Sequence, residues 1–196
     1  MDKDMETQQV ATITEDAAAH NQISHDFYIV GPLKFAILFF FTFGVYMAYW
    51  FYRNWKQQKA VTKEDCWPIM RGVFLIFFTH DLLSRIDKKL RVTDKKYDWS
   101  SQVIATLIVC FVLTARILDR LSSQNIGSPY TGIGALLMLA IIALLLIYVQ
   151  RVINFACNDP EGESNNQLTG LNFLWIAIGS IFIALATIGI FFSPNT

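Results

Sequence analysis

Apolar residues run along this chain in long unbroken blocks. Four blocks, 35–52, 99–118, 131–149 and 171–192, approach the roughly 20 residues that a bilayer crossing needs. Such continuity predicts helices: in lipid only helices and closed barrels satisfy their own backbone, and barrel strands would alternate. The first block closes with Tyr46, Tyr49, Trp50 and Tyr52, an aromatic belt suited to the headgroup level. Thr42–Gly44 inside it predicts a packing notch, with a hinge as the alternative. The second block carries one charge, Arg116, near its end, where the side chain can reach the interface.

A fifth stretch, 68–83, is weaker. Its apolar core spans 72–78, with Arg71 before it and His80–Asp81 after it. A charge at mid-bilayer costs about 2.5–3.5 kcal/mol on insertion scales. The expectation is a short re-entrant or interfacial helix, with a span shielded by its neighbours as the alternative. The predicted architecture is therefore an all-α, polytopic membrane helix bundle. It has four clear transmembrane helices, about 33–52, 99–118, 131–150 and 171–192, and one short amphipathic helix near 68–88. Residues 1–32 are expected to form an acidic mobile tail, and 33–196 a single membrane domain.

Composition agrees. Charged residues make up 16% of the 196 and mean hydropathy is +0.38, where a soluble domain carries about 25% charge. This argues against a nucleic-acid binder, a disordered chain and a disulfide scaffold. Three widely spaced cysteines without a CxxC predict reduced thiols, and three scattered histidines offer no metal site. No cofactor is expected. The 34 residues before the first block are acidic rather than basic, so no cleavable signal peptide is expected.

Net charge is zero, but it is segregated. Residues 1–34 hold six acids and two bases, and residues 53–98 hold eleven bases and six acids. If 68–83 does not cross and the N-terminus is outside, twelve bases fall inside against four outside. If it crosses, the split is nine against six. The positive-inside rule favours the first arrangement, with tail and basic middle on opposite sides of the bilayer. Cys66 and Cys157 should then label from the cytoplasm only, and Cys110 should resist labelling.

Several polar groups stand out. Arg71, His80, Asp81 and Arg85 form a candidate polar membrane cluster. Asp81 and Arg85 share a helix face, His80 is an obvious proton carrier, and the bland alternative is the wet end of a dipping helix. Arg53, Lys56, Lys59, Lys88 and Lys89 are candidate anionic-lipid contacts, each base gaining about 1 kcal/mol beside an anionic leaflet. Gln150, Asn154, Asn158, Asn165, Asn166, Gln167 and Asn172 form an amide-rich stretch. Those nearer the helices are expected to hydrogen-bond across the bundle. Asp159, Glu161 and Glu163 have the oxygen chemistry for a hard cation, but a solvated loop is the stronger expectation.

Four groups of residues carry a family resemblance: the run from Thr42 to Lys59 (TFGVYMAYWFYRNWKQQK), Trp67–Pro68 to Arg71 leading into FFTHDLLSRI, Tyr148 to Asn166, and Leu168 to Gly179. Together they resemble a group of small uncharacterised bacterial integral-membrane proteins bearing a TFGxYxxYWFYRNW pattern. Gly72 stands where that group has alanine after its Pro-x-x-Arg. The resemblance implies a multi-pass protein of the bacterial inner membrane and supplies no catalytic residue. No catalytic motif appears in the chain itself. The leading expectation is a non-catalytic structural, accessory or partner-binding membrane protein. A small oligomeric transporter or channel comes second, and an enzyme acting on anionic lipid is weakest. Expected partners are membrane lipids and another membrane protein or a second copy, not nucleic acid.

Overall fold

The structure, a computed structural model, describes residues 26–192, with side chains through Leu185. The tail other than its last residues lies outside the described part. Seven α-helices follow one another: α1 Pro32–Phe41, α2 Tyr46–Thr62, α3 Pro68–Val73, α4 Leu75–Val92, α5 Ser101–Ser123, α6 Tyr130–Ala156 and α7 Gly170–Phe192. A 3-10 turn, Glu163–Asn165, precedes α7, and no strand occurs among the described residues. Pro32 and Pro68 open α1 and α3, where a missing N–H costs nothing.

The all-helical expectation holds, but among the described residues two helices rather than four are long and apolar enough to cross a membrane. These are α5 with 23 residues and α6 with 27. They pack together across a short turn in which Asn125 and Gly127 are left-handed. The first block is not one helix. α1 ends after ten residues, Phe43 and Gly44 take φ of 50° and 82°, and the chain reverses into α2. A straight helix would put Phe35 about 22 Å from Trp50, yet their ring centroids lie 6.1 Å apart, and Phe35 is 5.3 Å from Tyr46. The Thr42 hydroxyl closes the reversal, donating to Leu38 O at 2.7 Å and accepting from Tyr46 N at 3.0 Å. A Cβ on Gly44 would come within 2.8 Å of Leu139 Cδ1. The expected notch or hinge is thus the tip of a helical hairpin, and an unbroken apolar run concealed it.

The fifth stretch also differs. α3 and α4 break at Phe74, and α4 continues to Val92. Its buried positions, Leu75, Thr79, Leu82, Leu83, Ile86 and Leu90, recur every three or four residues, the stripe of an amphipathic helix. α3 doubles back on α2, and a Cβ on Gly72 would stand 2.8 Å from the Ala48 carbonyl oxygen. α7 lies against α1, with Gly179 seated directly on the Phe41 carbonyl.

Three contacts show which loops share an end of the molecule. The Lys95 ammonium donates to Phe155 O, Ala156 O and Asn158 Oδ1 at 2.7–3.1 Å, so the α4–α5 loop covers the carboxyl end of α6. A cation there complements the helix dipole. Lys89 pairs with Asp26, and Asn165 reaches Ile29. Asp26 and the basic segment therefore lie at the same end, and the first block does not separate them. Cys66 and Cys157 are buried, and Cys110 lies on the outer face of the membrane-length α5. Burial also pushes the Cys157 thiol above its ordinary range, which slows thiolate chemistry.

Candidate functional site

Residues 27–30 form neither helix nor strand and are buried among helices. A buried strap without a ladder must find partners for every backbone N–H and C=O. Amide side chains supply them. Tyr28 N donates to Asn54 Oδ1 at 3.1 Å, and Gln150 Nε2 donates to Tyr28 O at 3.1 Å. Asn165 Nδ2 reaches Ile29 O at 2.8 Å, Asn154 Nδ2 reaches Val30 O at 3.1 Å, and Gln58 Nε2 reaches Asp26 O at 2.7 Å.

The amides also bind one another. Gln150 Nε2 donates to Asn154 Oδ1 at 2.6 Å, Trp50 Nε1 donates to Gln150 Oε1, and Asn54 Nδ2 donates to Trp50 O at 2.9 Å. Gln150 and Asn154 are four apart on α6, hence on one face. The expected bonding of amides across the bundle is present.

The 157–169 loop closes over the strap. Gly162 has φ of 69°, and a Cβ there would stand 2.8 Å from each of Asn154 Nδ2, Gly31 N and Val30 C. Asp159 holds the loop, accepting from Glu163 N and Ser164 N at 2.9 Å each. Partial burial pulls its carboxyl up, but these bonds outweigh burial and hold it below the usual range. Asp159 is thus committed to loop amides. No group of three metal-capable side chains occurs among the described residues.

The second polar cluster is charged. Asp81 accepts from Arg71 Nη1 at 3.2 Å and from Arg85 Nε at 3.0 Å. Arg85 also forks onto Glu64 at 3.1 and 2.8 Å. Trp55 is fully buried between them, 4.1 Å beneath Arg71 and 5.2 Å from Arg85. The Arg85 guanidinium holds the Glu64 carboxyl below its ordinary range. Asp81 and Arg85 therefore pair as their spacing suggested, Arg71 joins them from the other side of the break at Phe74, and Glu64 is an unforeseen fourth member. His80 does not join them; its Nε2 lies 3.1 Å from Thr106 Oγ1 on α5.

The five candidate lipid contacts do not behave alike. Lys56 and Lys88 are exposed. Lys59 closes the α2–α3 turn, donating to Cys66 O at 2.8 Å beside Asp65. Lys89 is taken by Asp26. Arg53 lies over the Tyr28 ring at 4.6 Å and donates to Tyr49 Oη at 3.2 Å.

One cavity borders the strap and another lies beyond it. The first, about 370 Å3, is lined by Tyr28, Lys34, Tyr49, Arg53, Ser164, Asn165 and Asn172, among others. The other, about 950 Å3, lies between α1 and α6. Leu33, Ala36, Leu144 and Ile147 form its apolar wall, and Arg151, Glu161 and Glu163 its polar end. Sequence reading did not connect Lys34, Asn54 or the Trp50 indole with a site. Asn54 was the available signal, an amide set among aromatic residues.

No family model matches the chain, and no solved structure matches it. A probable aquaporin from Arabidopsis thaliana is 27% identical over 96 residues, which cover 48% of this chain and 32% of that relative. The chain therefore spans about a third of that relative's length. Two membrane-length apolar helices and this partial likeness both support a membrane protein.

Proposed function

We propose that the chain is a multi-pass membrane protein with a non-catalytic accessory role, holding lipid and a partner helix or a second copy. One observation carries this reading. α5 and α6 are strongly apolar, yet only 22% and 17% of their membrane-length windows are buried within the chain. Outward apolar flanks of that length need lipid or a partner to cover them. The hairpin tip supports it, with Phe40, Phe43 and Val45 all more than half exposed. Val30 is level with Asn154, and Gly44 with Leu139. That separation along α6 corresponds to about 22 Å, so the α1–α2 hairpin enters and returns as a re-entrant element.

Bases of segment 53–98 and Arg151 lie at the end from which the hairpin enters, which makes that end cytoplasmic by the positive-inside rule. The resemblance to bacterial inner-membrane proteins supports placement in that membrane. The test is carbonate extraction followed by mild-detergent purification. The chain should remain with the membrane and co-purify with a second membrane protein or as an oligomer. Release into the soluble fraction would sink this reading.

The partial likeness to a probable aquaporin favours a second reading, a channel formed between copies of the chain. It predicts faster osmotic volume change in proteoliposomes than in empty vesicles, scaling with protein density. An unchanged rate counts against it.

A further inference from the structure

Five bases at the strap end have an acid. Lys59, Arg71, Arg85, Lys89 and Arg91 each pair with a carboxylate. Lys34 and Arg53 form no ion pair among the described residues. Lys34 is 4% exposed, and its ammonium donates only to neutral groups, Asn165 Oδ1 and Gln167 O, each at 2.7 Å. Among the described residues Arg53 meets the Tyr28 and Tyr49 rings and the Tyr49 hydroxyl. Both cations line the 370 Å3 cavity, and no carboxylate among the described residues does.

Burying the Lys34 ammonium without a counter-charge is unfavourable, and the half-buried Arg53 beside it adds a like charge. Burial first, and the Arg53 charge second, hold the Lys34 ammonium below its ordinary range. The rest of the lining suits an anion. Ser164, Thr169, Asn172 and the Tyr49 hydroxyl are hydrogen-bonding groups. Leu171 and Asn172 belong to the first turn of the 23-residue α7, where backbone N–H groups lack helical acceptors and the dipole is positive. The volume falls within the range of small-ligand sites, roughly 300–1,000 Å3.

We propose that this cavity binds a phosphate-bearing anion, with the Lys34 ammonium and the Arg53 guanidinium as its counter-charges. Arg53 supplies the fork that matches phosphate oxygens, and Lys34 supplies a buried point charge fixed by Asn165. A lipid headgroup and free phosphate share this chemistry. The inference goes beyond the accessory role: loss of membrane association would overturn that role and leave phosphate binding standing.

The test uses the full chain in mild detergent and in nanodiscs of phosphatidylcholine with and without phosphatidylglycerol. Inorganic phosphate binding is followed by equilibrium dialysis, and retained lipid by native mass spectrometry. Arg53→Gln should weaken binding at least about tenfold, the loss of one charge-assisted fork. Leu171→Glu, at an exposed position on the cavity wall, should do the same by adding a carboxylate, with helix content unchanged by circular dichroism. Arg120→Gln, exposed on α5 and away from the cavity, should change nothing. Retention of phosphatidylglycerol without phosphate binding identifies a lipid headgroup as the source. Phosphate binding without lipid retention identifies a soluble anion. The proposal is overturned if the unaltered chain binds neither, or if binding survives both cavity variants.

Discussion

Two polar clusters lie on either side of α2 and are built on opposite principles. The strap network uses neutral amides and is almost fully enclosed: Asn54, Gln150 and Asn154 have no exposed surface. The clasp around Trp55 uses four charges, and its Asp81 and Glu64 side chains remain nearly half exposed. The difference follows from solvation. An amide can be buried for the cost of satisfying its hydrogen bonds, whereas a buried ion demands far more. The enclosed cluster should therefore govern stability, and the open one should mainly fix how α3 and α4 sit on α2.

Gln150→Leu tests the enclosed cluster most severely. It strands the Tyr28 carbonyl, the Trp50 indole N–H and the Asn154 amide oxygen at once. Each orphaned buried group costs about 1–3 kcal/mol, so the expected loss is about 3 kcal/mol or more, a large share of a typical domain's stability. The measurement is the midpoint of denaturant unfolding in a fixed detergent. A loss below about 1 kcal/mol would mean that the network carries little of the fold.

Gly162→Ala should come next. The added methyl meets backbone atoms of Gly31 and Val30 and sits at a left-handed φ. Strain of this kind costs about 1–3 kcal/mol, and protease cleavage within 157–169 should rise with it. A variant as protease-resistant as the parent would show that the loop does not close on the strap.

The charged clasp should respond less. Asp81→Asn removes one acid from two arginines while keeping the shape. Exposed pairs contribute about 0–1 kcal/mol, so a shift in that range is expected, reduced by added salt. A loss as large as that of Gln150→Leu would erase the proposed contrast. The same clasp makes a pH prediction. Hydrogen bonding from Arg85 lowers the Glu64 pKa in the folded state. Its contribution is therefore present above the unfolded value of about 4.3 and is lost as pH falls below that, through the folded value. An acid titration of Trp fluorescence, with Trp55 as reporter, should move in this window and should not in Glu64→Gln.

How much of this was legible depended on period and on partner distance. α5 and α6 were visible because each is a single apolar run with no competing pattern. The α1–α2 hairpin was not, because a helical reversal inside apolar surroundings leaves hydropathy unchanged. Its only marks are Thr42 and Gly44, which serve a packing notch equally well. Asp81 and Arg85 were legible as an i,i+4 pair, and Gln150 and Asn154 as amides in an apolar helix. Lys34 with Arg53, and Tyr28 with Gln150, were not. Their meeting depends on the reversal at Phe43 and on 122 residues of chain between strap and α6.

His80 should show the smallest effect. In sequence it was the most suggestive residue of its cluster, a titratable ring beside an acid and near two arginines. In the structure the acid is already shared by Arg71 and Arg85, and the ring faces α5 instead. The Thr106 hydroxyl lies 3.1 Å from His80 Nε2 and 2.9 Å from Gln102 O. That is one exposed hydrogen bond between two helices held together by apolar packing. His80→Ala should therefore change stability by no more than about 0.5 kcal/mol, and the acid transition assigned to Glu64 should stay where it was. A transition displaced by His80→Ala would return the histidine to the clasp and dissolve the separation between a charge cluster around Trp55 and a solitary contact on α5.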